Sequence, residues 1–365
     1  MATCKICKNS SPFFSKSPGV CIKCIREKPN ESLYIALLSH KESRLAFGLP
    51  SQAPKSDEGV SCKICVNECR IPEGQYGYCG LRKNEKEKLI GPTYNQGKLS
   101  WYLDPLPTNC VADWVCAGGT GDGYPQYAYT KGPEYGFYNL AVFFHACSFN
   151  CLYCQNWHFR QESLKPKLTE LSEPLKSLSS YVSCICYFGG DPTTQIIFSL
   201  RLSELALKQR KGKILRICWE TNGSMHKAYL ERMLDISLIS GGCIKFDLKA
   251  WDENLHITLT GVSNRRTLEN FKFLGSFFQK RSSPPLVVAS TLLVSGYIDN
   301  KEIENIAKFI ASINPEIPYR LLAFYPTFYM NDLPVTSKKL AYECYEVALK
   351  AGLKKVSLGN EHLIK

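Results

Sequence analysis

The chain has 365 residues, 44% of them hydrophobic, with 18 cysteines and a formal net charge of +12. That hydrophobic share supports a sizeable core and excludes wholesale disorder; no run of about 18 apolar residues occurs, so no helical membrane span is expected. The positive charge is scattered through stretches such as KPKLTE, KQRKGK and SKK, which reads as a solvated lysine-rich surface and not as a dense basic run.

The first residues, MATCKICKNSS, hold no apolar stretch of the kind that leads a secreted chain, so a cytoplasmic location is expected. In a reducing compartment, closely paired cysteines serve as metal ligands or catalytic groups and not as a disulfide framework. Residues 1–30 carry Cys4, Cys7, Cys21 and Cys24 as two CxxC pairs. Four thiolates at paired spacing predict a zinc-ribbon-like module with a closed site for Zn2+. Residues 31–60, with the polar stretch LPSQAPKSDEG, read as a linker. Cys62, Cys65, Cys69 and Cys79 follow in CKICVNECRIPEGQYGYCGLR. Four ligands again predict a closed site, for zinc or an auxiliary iron–sulfur cluster, with a structural or electron-relay role. This cysteine-rich and Gly/Pro-rich lead-in spans 61–138. Its part from 91 onwards, DPLPTNCVADWVCAGGTGDGYP included, reads as a long ordered loop region with Cys110 and Cys116 as ordinary thiols.

From residue 139 short apolar runs alternate with amphipathic stretches. NLAVFFH (139–145), CICYFG (184–189), LRICWE (215–220), CIKFDLK (243–249), PLVVASTLLV (285–294) and YRLLAF (319–324) read as strands, with a short final one in KKVSLG. One helix is predicted with Ile303, Ile306, Ala307 and Ile310 on its apolar face. Another carries Leu340, Cys344, Val347, Ala348 and Ala351. Repeated strand–helix units imply parallel strands with right-handed crossovers. The fold class expected for 139–365 is therefore α/β, a partial (β/α)6 TIM-type barrel, preceded by the cysteine-rich modules. Cys184, Cys186, Cys218, Cys243 and Cys344 fall in apolar patterns and read as core.

The polar motifs fall where the strands end, the edge at which catalytic groups converge in parallel α/β folds. After the first strand comes CSFNCLYC, with Cys147, Cys151 and Cys154. Three thiolates on a four-iron cluster leave one iron without a protein ligand, and an open metal position is the mark of a site that binds something. The triplet by itself also fits zinc, with His145 or His158 as fourth ligand.

CxxxCxxC, with aromatic Tyr153 before the last cysteine, resembles the signature of radical S-adenosylmethionine (SAM) enzymes. YFGGDPTTQ, WETNGS, KFDLKAW, LTGVSNRRTLEN and, more loosely, LLVSGYID, in that order across 139–330, are similar to the pyruvate formate-lyase activating enzyme branch. The upstream CKICVNECRIPEGQYGYCGLR looks like the lead-in of activase-like paralogues of undefined substrate. Two departures stand out: Glu220 where the activases have Asp, and Pro326 after Tyr325 where they carry a histidine.

The resemblance implies a 4Fe-4S cluster whose open iron is chelated by the amino and carboxylate groups of SAM. An electron from a low-potential donor such as ferredoxin or flavodoxin then gives methionine and a 5′-deoxyadenosyl radical, which takes hydrogen from a protein or other macromolecule. It places Gly189 and Gly190 beside the SAM amino group, where backbone approaches a ligand only without a Cβ. Asp191 stands where many members have Glu. Glu220, Thr221 and Asn222 match a strand-end motif that contacts SAM. Lys249, with Asp247 two residues before it on the same face, matches a lysine whose ammonium neutralises the SAM carboxylate. Radical modification of RNA is a second reading, motivated by the positive charge and the zinc ribbon. A non-enzymatic metal-bearing scaffold or electron-transfer protein is a third.

Overall fold

A computed structural model describes residues 1–365. Its centre is one eight-stranded sheet: β1 (Leu99–Pro105), β2 (Tyr138–Phe144), β3 (Val182–Gly189), β4 (Arg216–Thr221), β5 (Ile244–Asp247), β6 (Val287–Leu293), β7 (Tyr319–Ala323) and β8 (Val356–Gly359). They lie side by side in chain order, with β1 and β8 at the edges. β2 to β8 are parallel throughout, and β1 runs antiparallel to β2. Helices cover the crossovers: α3 (Ile196–Gln209), α4 (Lys227–Ser240), α5 (Glu253–Thr260), α6 (Arg265–Gly275), α7 (Asn300–Ile313) and α8 (Lys338–Lys350), with α1 (Pro29–Leu45) and α2 (Phe159–Ser163) earlier in the chain. No helix is long and apolar enough to cross a membrane.

The seven parallel strands are those expected from the apolar runs, because the central ones are covered on both faces and so read as nearly continuous apolar sequence. In β3, Val182 to Tyr187 are all buried. α7 starts where the Asp299 side chain accepts from Glu302 N, and it buries Ile303, Ile306, Ala307 and Ile310 as expected. α8 starts at the Ser337 cap and buries Ala341, Cys344 and Ala348.

Two expectations are corrected. The stretch from 91 contains a full strand, β1, which pairs with β2 along its whole length. It was hidden because an edge strand half open to solvent shows no apolar run: in LSWYLDP only Leu99 is buried. The linker expected over 31–60 begins instead inside α1, a 17-residue helix. α1 inverts the usual pattern. It buries Ser32, Ala36, Ser39, His40 and Ser43 and leaves Tyr34, Leu37, Leu38 and Leu45 exposed, so its hydrophobic periodicity points the wrong way.

Both cysteine-rich modules lie against loops that leave the carboxyl ends of the sheet strands. The first is fastened to the loop after β6: Tyr297 OH accepts from Ser15 N (3.1 Å) and donates to Val20 O (3.0 Å). Arg26 makes a two-pronged ion pair with Asp299 (2.7 and 2.9 Å). The second is fastened to the loop after β4, where Val66 N donates to Ser224 O (2.9 Å) and His226 N to Ile64 O (2.9 Å).

Candidate active site

The loops after β2, β3, β4 and β5 converge on a cavity of about 200 Å³. Cys147, Cys151 and Cys154 all line it. Their loop is held rigidly. Asn150 N donates to Thr260 O (2.8 Å) and Leu152 N to Leu259 O (3.0 Å), which ties the loop to the end of α5. The Asn150 amide donates to Ser43 Oγ (2.8 Å) and His40 Nδ1 (3.1 Å) of α1, and its oxygen accepts from Arg160 Nη2 (3.2 Å). Burial pushes the Cys151 thiol up to about 11, although Lys249 pulls the other way. A thiol in such a place loses its proton to a bound cation and not to water.

Gly189 and Gly190 line the same cavity beside the triplet. Gly189 has φ +105°, a conformation L side chains rarely adopt, and a Cβ on Gly190 would lie 2.2 Å from Ala146 O. Gly190 N donates to Phe144 O (2.8 Å), and Asn156 Nδ2 donates to Gly189 O (3.1 Å). The glycine pair therefore packs flush against the backbone leading into Cys147.

The remaining expected residues divide into two groups. Tyr153, Asp191, Glu220, Asn222, Asp247 and Lys249 line the cavity. Lys249 Nζ pairs with Asp247 Oδ2 (2.8 Å), whose other oxygen accepts from Ser290 Oγ (2.8 Å). Burial opposes the Lys249 charge, but Asp247 holds its pKa well above the ordinary value. Asn222 Nδ2 donates to Ser148 Oγ (2.8 Å) and points at Cys147 Sγ (3.7 Å). Asp191, by contrast, spends its carboxylate within the protein: it accepts from Thr193 N (2.7 Å), Asn222 N (2.6 Å) and Thr221 Oγ1 (3.1 Å). Burial pushes this carboxyl up to about 6. Thr221 is buried, and its hydroxyl is shared with Asp191 and Thr193, so it braces the motif from behind. Glu220 pairs with Lys245 of β5.

Neither histidine considered as a fourth ligand lines this cavity. His145 Nε2 meets Ser100 Oγ of β1 (3.1 Å), and His158 stacks on Trp157 (3.7 Å). Trp157 itself lies in an aromatic group with Phe47 and Phe328.

Sequence reasoning missed Arg160. Its side chain lines the cavity and is 2% exposed, and its Nη1 has no hydrogen-bond partner in the protein. The guanidinium lies over the Phe159 and Phe328 rings (4.6 Å to each centroid) and so places a buried positive charge beside the triplet's cavity. Nothing in the spacing of a single arginine after the triplet marks it.

Elsewhere, the sulfurs of Cys4, Cys7, Cys21 and Cys24 lie within 4.8 Å of one another, with Cys7 Sγ and Cys21 Sγ 3.8 Å apart. This is a set that can hold a metal ion. Cys62, Cys65, Cys69 and Cys79 line one small cavity of their own. That cavity adjoins the triplet through Asn67, whose Nδ2 donates to Ser148 O (2.7 Å).

Residues 141–310 match the family model described as Radical SAM superfamily. A candidate glycyl-radical enzyme activating enzyme of Methanocaldococcus jannaschii is 33% identical over 223 residues, covering 58% of this chain and 77% of that protein. An uncharacterized protein of the same organism is 26% identical over 83% of this chain and 82% of its own length. Pyruvate formate-lyase 1-activating enzyme of Escherichia coli K12 is 27% identical over 37% of this chain and 55% of its own. The family implies a 4Fe-4S cluster and SAM, and it sets aside the reading as a non-enzymatic scaffold. Motif order, a parallel sheet with its polar loops at one edge, and likeness over most of a relative's length agree: the chain belongs to the radical SAM superfamily and is an enzyme of the pyruvate formate-lyase activase type.

Proposed function

We propose that this chain reductively cleaves SAM at a 4Fe-4S cluster held by Cys147, Cys151 and Cys154 and abstracts hydrogen from a protein substrate, as an activator of a glycyl-radical partner. The observation that carries this reading is the meeting of three thiols, the Gly189–Gly190 pair, the Asp247–Lys249 pair and the side chain of Arg160 on one cavity. Three soft donors and two buried cations fit an anionic thiolate-held cluster. When bound, the cluster supplies the electron that splits SAM into methionine and a 5′-deoxyadenosyl radical.

The chain's own residues do the rest. Lys249 presents its ammonium to the SAM carboxylate. Gly189 and Gly190 offer backbone to the amino group, and Glu220 and Asn222 bound the nucleoside side. Asp191 and Thr221 act on SAM only through Asn222, whose backbone Asp191 holds. Buried Tyr153 and Phe149 close the floor against water. The Cys4–Cys7–Cys21–Cys24 set takes Zn2+, in keeping with its close sulfur spacing. The Cys62–Cys65–Cys69–Cys79 set holds zinc or an auxiliary cluster. Its contact with Ser148 suits electron relay from a ferredoxin- or flavodoxin-like donor.

The test is anaerobic reconstitution with iron and sulfide, reduction, addition of SAM and assay of 5′-deoxyadenosine by mass spectrometry, with Cys151→Ala alongside. Product from the native chain and none from the variant is expected. Equal product from both removes the triplet from the chemistry.

A further inference from the structure

On the far side of Glu220 from this cavity, the interior of the barrel is lined by thiols. Inward positions of parallel barrels are ordinarily filled by branched apolar side chains. Here Cys186 on β3 stands in register with Cys218 on β4. Cys243, just before β5, lies at the same level: its N–H donates to Cys218 Sγ (3.4 Å) and its carbonyl accepts from Trp219 N (3.0 Å). Three neighbouring strands thus carry cysteines abreast. Cys184 sits one inward position earlier on β3, in register with Arg216. The loop between β1 and β2 adds Cys110 and Cys116. These six line one cavity of about 30 Å³, room for an ion or a water and more, and all six are free thiols.

Two buried ion pairs border the chamber. Lys245, 2% exposed, donates from Nζ to Cys110 Sγ (2.9 Å) and pairs with Glu220. Arg216, also 2% exposed, borders the same cavity and pairs with Glu134 (2.6 Å). The Lys245 ammonium, shared between Glu220 and Cys110, is placed to donate to a thiolate at Cys110 in a low-dielectric interior. Four or more sulfurs, buried or half-buried and drawn from β3, β4, the entry to β5 and a loop, are a donor set for iron–sulfur units.

We propose that the barrel interior holds a second thiolate-ligated centre, with Cys110, Cys186, Cys218 and Cys243 as ligands and an iron–sulfur unit as occupant. It is separate from the triplet's cavity, and Glu220 touches both: its carboxylate lines the first and reaches Lys245 in the second.

The full chain is purified anaerobically, reconstituted with iron and sulfide, and analysed for iron, acid-labile sulfide, zinc and copper per chain. Cys186→Ser/Cys218→Ser and Cys110→Ser are compared with the parent in a Cys147→Ala/Cys151→Ala/Cys154→Ala background, which removes the triplet's iron from the count. Loss of one whole centre is expected in both. Iron and sulfide falling together identify an iron–sulfur unit; zinc or copper falling alone contradicts it. Unchanged metal and sulfide in the folded variants overturn the proposal. Should the strand variant fail to fold by circular dichroism, Cys110→Ser, in the loop, decides the matter by the same analysis.

Discussion

Lowering the pH should unlatch the triplet loop through His40. This ring is 3% exposed; its Nε2 donates to Thr258 O (3.0 Å), and its Nδ1 accepts from Asn150 Nδ2 (3.1 Å). The Asn150 contact requires the neutral ring, because a second proton would set an N–H against the Asn150 amide, whereas the bond to Thr258 O survives protonation. Burial accordingly lowers the pKa from 6.5 to about 4. The sign follows: a group depressed in the folded state contributes stability that is present above 6.5 and lost as the pH falls toward 4. A full shift of this size corresponds to ~3 kcal/mol, of which about 2 kcal/mol falls between pH 7 and pH 5. His40→Gln keeps a donor and an acceptor in nearly the same places and cannot titrate. Urea unfolding at pH 7 and pH 5, followed by circular dichroism, compares the two chains, and subtraction cancels the other titrating groups they share. Native protein should lose about 2 kcal/mol more than His40→Gln over this interval. Equal losses would show that the His40–Asn150 contact is not a neutral latch.

Three further outcomes follow from the geometry. Lys249→Met removes the cavity's ammonium and should raise the Kd for SAM roughly 10- to 100-fold, the worth of a charged hydrogen bond, in equilibrium binding to the reconstituted protein. Gly190→Ala places a Cβ 2.2 Å from Ala146 O, so it should push back the segment carrying Cys147 and lower the iron retained at the triplet. Retention equal to the native chain would refute the close packing. Arg216→Ala leaves Glu134, fully buried and paired at 2.6 Å, without its partner, and should cost about 3–5 kcal/mol in chemical denaturation.

The central parallel strands are legible because they are buried on both faces, and the polar loops because motif and strand end coincide. β1 is not, since an exposed edge strand carries no apolar signature, and neither is α1, whose buried face is serine, alanine and histidine. Within the site, the triplet and the Asp247–Lys249 pair come from short local motifs and could be read directly. Asn150 and His40 could not, since each is a single residue whose partner lies far along the chain, and Arg160 could not, since a lone arginine carries no motif. The thiol-lined chamber was read as ordinary core because Cys186, Cys218 and Cys243 each look like an apolar strand residue in isolation. Only the register of three strands sets them side by side.

The central claim is that SAM meets metal at the Cys147–Cys151–Cys154 cavity. Electron paramagnetic resonance of the reduced, reconstituted chain, with and without SAM, tests it most directly. The signal absent from Cys147→Ala/Cys151→Ala/Cys154→Ala but present in the native chain belongs to the triplet. That signal should change its g values when SAM is added. A triplet signal that is the same with and without SAM would contradict the account.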